Sequence, residues 1–307
     1  MRITSNAIFH QLTADINRAA IRLFERQRQV ASSRRMATAS DDPVGAGLAV
    51  WLRESVSKLL QAQRNGDQAE ARLQASADVL AGILSDLNDV KDLAIRGIDG
   101  ALTLSDRQNL ATQVNQKLER LWSDANARSI DGFLFGGTYT TSTTGVLPFA
   151  RVPLTGEMTG VTLASGIDGE VRAGLPGGLQ VVVNVPGSTV FTSTLPRPDM
   201  FPLLITVRDQ LRAGNVAGVE ASLTDLEAAI DQVRVVSADV GSRIGRIRDI
   251  QARSQNDLLA LRGRLSKIED TDVAEASIEF QQAQNVYQAA LAAASRVGQI
   301  NLLDFLR

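Results

Sequence analysis

Apolar residues recur along this chain at intervals of three, four and seven. Near the start, Ile8, Leu12, Ile16, Ala19, Leu23 and Val30 keep that rhythm. Leu73, Ala77, Leu80, Leu84 and Leu87 repeat it, and Leu110, Val114, Leu118, Leu121 and Ala125 continue it. Towards the far end, Val273, Phe280, Ala283, Tyr287, Ala290, Ala294 and Val297 hold heptad spacing. Such steps line apolar side chains along one narrow helical stripe. Four stripes in one chain predict helices packed lengthwise, as a bundle or coiled coil. The prolines leave room for this. All eight lie from Pro43 to Pro202, and residues 44–147 and 203–307 have none, so long helices are permitted there.

The centre has another pattern. Residues 131–200 carry few charges and many glycines, threonines and valines. "LQVVVNV" and "STVF" read as short strands, while "GIDGE", "GLPGG" and "VPGS" read as turns. The predicted fold class is α+β: a long antiparallel helical bundle or coiled coil built from both chain ends, with a small inserted β-rich domain. The expected divisions are an N-terminal inner helical arm (1–42), the N-terminal half of the bundle (43–131), the β-rich domain (132–202), the C-terminal half of the bundle (203–265) and a C-terminal inner arm (266–307).

Composition narrows the chemistry. The chain has 307 residues, 44% of them apolar, which is enough for one or two packed domains. A net charge of −2 gives no pull towards nucleic acid or an acidic membrane. The absence of cysteine excludes disulfides, thiolate catalysis and thiolate metal sites. "MRITSNAIFHQLTADINRAAI" shows no hydrophobic run of the signal-peptide kind, and no stretch reaches the roughly 18 apolar residues of a membrane span.

The stretch "ATASDDPVGAGLA" is a candidate site, because two adjacent acids could bind a metal or exchange protons. The residue before a proline is pushed out of helical geometry, and proline suits the first helical turn. The favoured reading makes Asp42 an N-cap, Pro43 the first helical residue and Asp41 a second acid near the positive helix end. Gly45-Ala46-Gly47 lacks the third glycine and the preceding strand of a dinucleotide turn, since Val50 stands in the third place. "GFLFGGT" (Gly132 to Thr138) lacks the Gly-Lys-Ser/Thr of a phosphate loop and reads as a helix-to-strand turn. His10 is the only histidine, so no Ser-His-Asp grouping assembles around it. Arg18, Arg22 and Arg26, with Arg34 and Arg35 beyond, could form a nucleic-acid surface. They read better as a solvated face able to pair with Glu269, Asp270, Asp272, Glu275 and Glu279 near the other end. No catalytic residue, metal or cofactor is expected.

The terminal stripes are narrow. Burying five sizeable side chains on the first arm falls well short of what ordering some 30 residues costs. The last stripe is rich in alanine, which allows close helix approach and contributes little burial. Both ends are therefore expected to be loose in the isolated chain and to order on assembly.

Three motifs, in order, carry a resemblance. "QVASSRRMATASDDPVGAGLAVWLRESV" resembles the N-terminal signature of the bacterial flagellin superfamily. "IEDTDVAEASIEFQQAQNVYQAALAAASRVGQINLLDFLR" resembles its C-terminal helix. "DGFLFGGTYTTSTTGVLPF" is similar to the helix-to-β join of that superfamily's hook–filament junction branch. The resemblance implies a non-enzymatic flagellar subunit, extracellular once exported through the flagellar type III apparatus without a cleaved signal. It implies as partners other copies in a homo-oligomeric ring, a neighbouring hook-associated junction protein, flagellin and a cytoplasmic export chaperone. By position it makes Ile8, Leu12, Ile16 and Leu23 pack with Phe280, Ala283, Tyr287, Ala290, Ala294 and Val297. Leu302, Leu303 and Phe305 form a terminal apolar hook, and Asp41, Asp42 and Pro43 hold a turn between inner and outer helices. Filament flagellin is the alternative; Arg34-Arg35, "FLFGGT" and Pro43 lean away from it. A coiled-coil scaffold or nucleic-acid-binding protein is a further alternative, and it predicts salt-sensitive DNA binding.

Overall fold

The computed structural model of the chain describes residues 5–36, 38–129, 132–139, 145–192 and 198–305, with side chains described from His10 to Arg296. The described helices are α1 (Ser5–Ser32), α2 (Pro43–Gly97), α3 (Leu104–Ala125), α4 (Gly187–Phe191), α5 (Met200–Ala213), α6 (Val216–Glu269) and α7 (Val273–Phe305). Between α3 and α4 lie three two-stranded antiparallel pairs. They are β1 (Arg128–Ser129) with β2 (Gly132–Phe133), β3 (Phe149–Val152) with β4 (Gly160–Leu163), and β5 (Arg172–Gly174) with β6 (Gln180–Val182).

The chain divides into two compact units. The first is Met1–Leu59 with Gln255–Arg307, and the second is Leu60–Ser254. In the second unit the heptad positions fill a core. Leu73, Leu80, Ile83, Leu87 and Val90 of α2 are at most 1% exposed. On α6, Leu226, Val233, Val240 and Ile247 recur every seven residues and are fully buried. Val114, Leu118 and Leu121 of α3 and Val207 and Leu211 of α5 complete the helical layer. Within this unit α2 and α6 run antiparallel and in step. Gln63 donates to Ser254, Asp67 accepts from Gln251, Glu70 pairs with Arg248, and Lys91 pairs with Glu227.

The β-rich segment shares the same core. Phe149 and Phe191 meet edge-on at 5.0 Å, Phe135 meets Phe191 at 5.4 Å, and Phe201 of α5 stacks on Phe191 at 5.8 Å. Edge-to-face aromatic packing adds to plain area burial. Buried Arg208 of α5 donates to Asn115 on α3 and to the Met158 carbonyl in the β3–β4 loop. Asp86 is buried and held by Lys117 at 2.9 Å and Arg120 at 3.2 Å.

"STVF" is a correction. Its β-branched residues favour a strand, yet Ser188–Phe191 belong to helix α4. Pro186 enters at φ −58°, and its carbonyl accepts from the Thr189 N–H and hydroxyl, closing a helical turn. That turn delivers Val190 and Phe191 into the aromatic cluster, so packing overrides propensity. Of the "LQVVVNV" run, only Gln180–Val182 pair as a strand.

Helix ends follow local chemistry. Thr103 and Asp106 form a reciprocal capping box at α3. Gly214 ends α5 in the left-handed conformation at φ 66°, where glycine lacks the Cβ penalty. Asp272 accepts from the Ala274 and Glu275 N–H groups and so caps α7.

Candidate assembly surface of the terminal helices

In the first unit α1 and α7 pair antiparallel. Arg26 meets Glu279 at 2.8 Å, and past the end of α1 the Ser33 carbonyl accepts from Thr271 N–H. The seam holds Leu12, Ile16, Leu23 and Val30 of α1, all half-buried, with Ala19 buried. From α7 it takes Phe280, Ala283, Tyr287, Ala290 and Ala294, half-buried, with Ala276 buried. The backbones of Ile8, Val297, Leu302, Leu303 and Phe305 are helical, but their side chains lie outside the described residues. The seam repeats every three to four residues but stays only half covered. Two helices alone can bury one stripe of each, and the small α7 residues contribute little area.

The counts make the contrast plain. Among the described residues, five buried hydrophobic side chains belong to this unit (Ala19, Ala49, Leu52, Leu258 and Ala276), against forty in the other. The order reverses for large exposed hydrophobics, with eleven here and eight there. Ile21, Phe24, Val44, Leu48, Trp51, Ile278 and Val286 are among the eleven.

The turn before α2 is tightly bonded. Pro43 opens the helix, and the Asp42 carboxylate accepts from Gly45 N–H at 2.8 Å and from Arg35 at 3.2 Å. The Gly45 N–H, helped by Arg35 and opposed by partial desolvation, holds the Asp42 carboxyl below its usual range. Asp41 accepts from the Thr38 N–H and hydroxyl and lies 3.4 Å from Arg28. Both acids thus serve backbone turns. No cluster of three metal-ligating side chains occurs among the described residues.

Several contacts of this unit had no signal in the sequence. Arg35 donates twice to the Ile268 carbonyl, and its own N–H donates to the Glu269 carbonyl at 2.7 Å. Glu269 is buried and held by Arg53 at 2.6 Å. The α1–α2 and α6–α7 connectors are thereby fastened to each other. The charge pairing expected between the arms is narrower than the sequence suggests. Arg26 reaches Glu279, whereas Arg18 turns to Asp15 in its own helix, one turn away and nearer than α7. His10 is exposed. The exposed ridge of Val44, Leu48 and Trp51 did have a signal, since its spacing of four and three widens the apolar stripe of α2 beyond the buried Ala49 and Leu52 that adjoin it.

The terminal helices thus pair along a half-covered apolar seam, and the second unit has a core of its own. Two sequence profiles agree: bacterial flagellin N-terminal helical region over residues 3–140 and bacterial flagellin C-terminal helical region over residues 223–306. The chain belongs to the bacterial flagellin family. It is 21% identical over 294 residues to flagellar hook-associated protein 3 of Salmonella typhimurium, covering 89% of each chain. To a phase 1 flagellin of Salmonella naestved it is 23% identical over 130 residues, covering 42% of this chain and 26% of that one. The fold is similar to that of the flagellar junction protein FlgL from Legionella pneumophila, with TM-score 0.58 and 13% identity over 73% of this chain and all of that one. No described helix is long and apolar enough to cross a membrane.

Proposed function

We propose that the chain is a structural adaptor of the bacterial flagellum, joining hook to filament, and that it works by coupled folding and assembly of its terminal helices. One observation carries this reading: among the described residues, the terminal unit buries five hydrophobic side chains and exposes eleven large ones. Exposed apolar surface of this extent marks a surface that another protein covers. The similarity to hook-associated protein 3 runs over 89% of both chains, while that to flagellin stops at about a quarter of the flagellin, which favours the junction over the filament. On this reading the subunit is not a catalyst. Its copies form a ring, with a second junction protein on one side and flagellin on the other. It leaves the cell through the flagellar export channel, escorted by a chaperone on its C-terminal helix. Leu12, Ile16, Leu23, Phe280, Ala283, Tyr287, Ala290 and Ala294 form the inner seam, joined by Ile8, Val297, Leu302, Leu303 and Phe305. Asp41, Asp42 and Pro43 fix the turn.

Electron microscopy of cells lacking the protein tests the assignment. Hooks without filaments, with flagellin shed into the medium, are expected; intact filaments would overturn it. Leu12→Asp and Ala290→Asp should each abolish incorporation while the second unit melts as in the unaltered chain. Normal filaments from either variant would contradict the packing role.

A further inference from the structure

Sulfur is scarce in this chain. It has no cysteine and four methionines, Met1, Met36, Met158 and Met200. Met158 and Met200 are fully buried in the core of the second unit. Met36 lies in the connector between α1 and α2 and is half-buried. Of the three methionines whose side chains are described, it is the one that a dissolved oxidant reaches. A cavity of about 170 Å³ borders it, lined also by Arg34, Ala46, Ala49, Arg53 and Glu269. A water molecule takes up about 30 Å³ in the liquid, so this space admits a small peroxide.

The thioether is packed where the connectors are fastened. A Cβ at Gly45 would stand 3.1 Å from the Met36 Sδ and closer still to the Asp42 carboxylate. Sulfur and carboxylate thus share one side of Gly45, in the first turn of α2. The Gly45 N–H is already given to Asp42 at 2.8 Å, and Arg53 to the buried Glu269 at 2.6 Å. The adjacent Arg35 N–H joins the two connectors through the Glu269 carbonyl. A thioether is a weak acceptor and leaves these donors alone. A sulfoxide carries a polar oxygen. To find a donor, that oxygen either takes the Gly45 N–H or Arg53 from its acid, or turns outward to exposed Arg34 and uncovers the buried Ala49. Each course loosens the fastening.

We propose that Met36 is an oxidation site through which peroxide weakens the α1–α2 and α6–α7 connectors. In the step, the Sδ lone pair attacks one oxygen of hydrogen peroxide, an S–O bond forms and the O–O bond breaks. The sulfur loses two electrons. The proton of the transferred hydroxyl passes to the departing hydroxide, which leaves as water. A methionine sulfoxide reductase reverses the change. The site depends on the connectors alone, not on what covers the terminal helices.

Full-length chain exposed to dilute hydrogen peroxide provides the test, with sulfoxide at each methionine followed by peptide mass spectrometry. In the folded chain Met36 should oxidise at least about tenfold faster than Met158 and Met200, and in urea at their rate. Amide protection at Arg35, Gly45 and Thr271 should fall at least about fivefold as the Met36 sulfoxide accumulates, the size of a lost helix cap. The second unit should keep its protection. Met36→Leu, similar in volume and without sulfur, should leave those amides unmoved by peroxide. If that variant is loosened before any treatment, reduction of the oxidised natural chain by the reductase replaces it, and protection must return with the thioether. Equal oxidation of the three methionines in the folded chain overturns the proposal. So does Met36 sulfoxide without loss of protection, the same loss in Met36→Leu, protection that stays low after reduction, or amides already unprotected before treatment.

Discussion

Leu80 and Leu12 sit in the same kind of pattern and meet different fates. Leu80 follows Leu73 by seven residues, belongs to one core cluster with residues of α3, α5 and α6, and is fully buried. Leu12 lies on an equally regular stripe, faces one helix, and is half-buried. Periodicity states that a stripe exists. It does not state whether the same chain has enough other helices to enclose it. Four helices and an aromatic cluster close around the stripes of the second unit. In the first unit α1 packs chiefly on α7, and among the described residues the seam between them stays half covered. The difference in core size is therefore the functional information.

The comparison breaks first if the two leucines respond alike. Leu80→Ala should cost about 3–5 kcal/mol, the usual loss for a fully enclosed leucine, and lower the melting midpoint of the second unit. Leu12→Ala in the isolated chain should cost less, about 1 kcal/mol, because only part of the side chain is covered there. Thermal melts of both variants decide it; comparable losses would mean the first unit carries a core of its own.

A smaller effect is expected at the connectors. Arg53→Ala leaves the buried Glu269 carboxylate without its 2.6 Å partner. An uncompensated buried acid costs on the order of 1–3 kcal/mol. The loss should appear as faster amide exchange in the first turns of α7, with the second unit unchanged. Unaltered exchange at Ala276 would show that the pair contributes nothing there.

Acid should separate the units again. Asp42 and Asp106 are each held below the ordinary aspartate value of 3.8, Asp42 by the Gly45 N–H first and Asp106 by the Thr103 hydroxyl first. A depressed pKa in the folded state means stabilisation that is present above the unfolded value and lost as pH falls through the folded one. Acidification below about pH 4 should thus weaken both caps. Protection of the Gly45 amide, its exchange compared with the intrinsic rate at the same pH, should fall in acid, while α3 holds because Ala111, Val114 and Leu118 further along it are fully buried. Asp42→Asn should remove that change in protection. Protection at Gly45 that does not change with pH in the unaltered chain would rule the cap out as its cause.

The helical architecture was legible because burial leaves a period in the sequence: Leu73, Leu80 and Leu87, or Val114, Leu118 and Leu121, are spaced as one face of a helix must be. The Asp42–Pro43 helix start was legible because capping is local chemistry within four residues. Helix α4 was not legible, since the strand preference of "STVF" is local and the pull of the Phe135–Phe149–Phe201 cluster is not. Nor were Arg35 on Ile268 or Arg53 on Glu269, which join residues more than 200 positions apart and leave no periodic trace. The ridge of Val44, Leu48 and Trp51 lies between these cases. Its spacing was readable, but its exposure depends on which face of α2 the rest of the unit covers.

The smallest effect concerns Ser33, at the point where α1 ends. It holds φ at 54°, the only described non-glycine residue with positive φ. There its carbonyl accepts from Thr271 N–H at 3.2 Å, so the left-handed turn helps fasten one connector to the other. A residue with a Cβ in that conformation costs roughly 1–2 kcal/mol, whereas glycine avoids the clash. Ser33→Gly recovers that cost and gives back about 0.5–1 kcal/mol through the larger freedom of the unfolded chain. The net expectation is a stabilisation of the α1–α2 connector by about 0.5 kcal/mol, read as slower exchange at the Arg35 and Thr271 amides. The second unit should not respond. If exchange at those amides instead accelerates, the left-handed turn is not what limits the connector, and the serine side chain contributes a contact of its own.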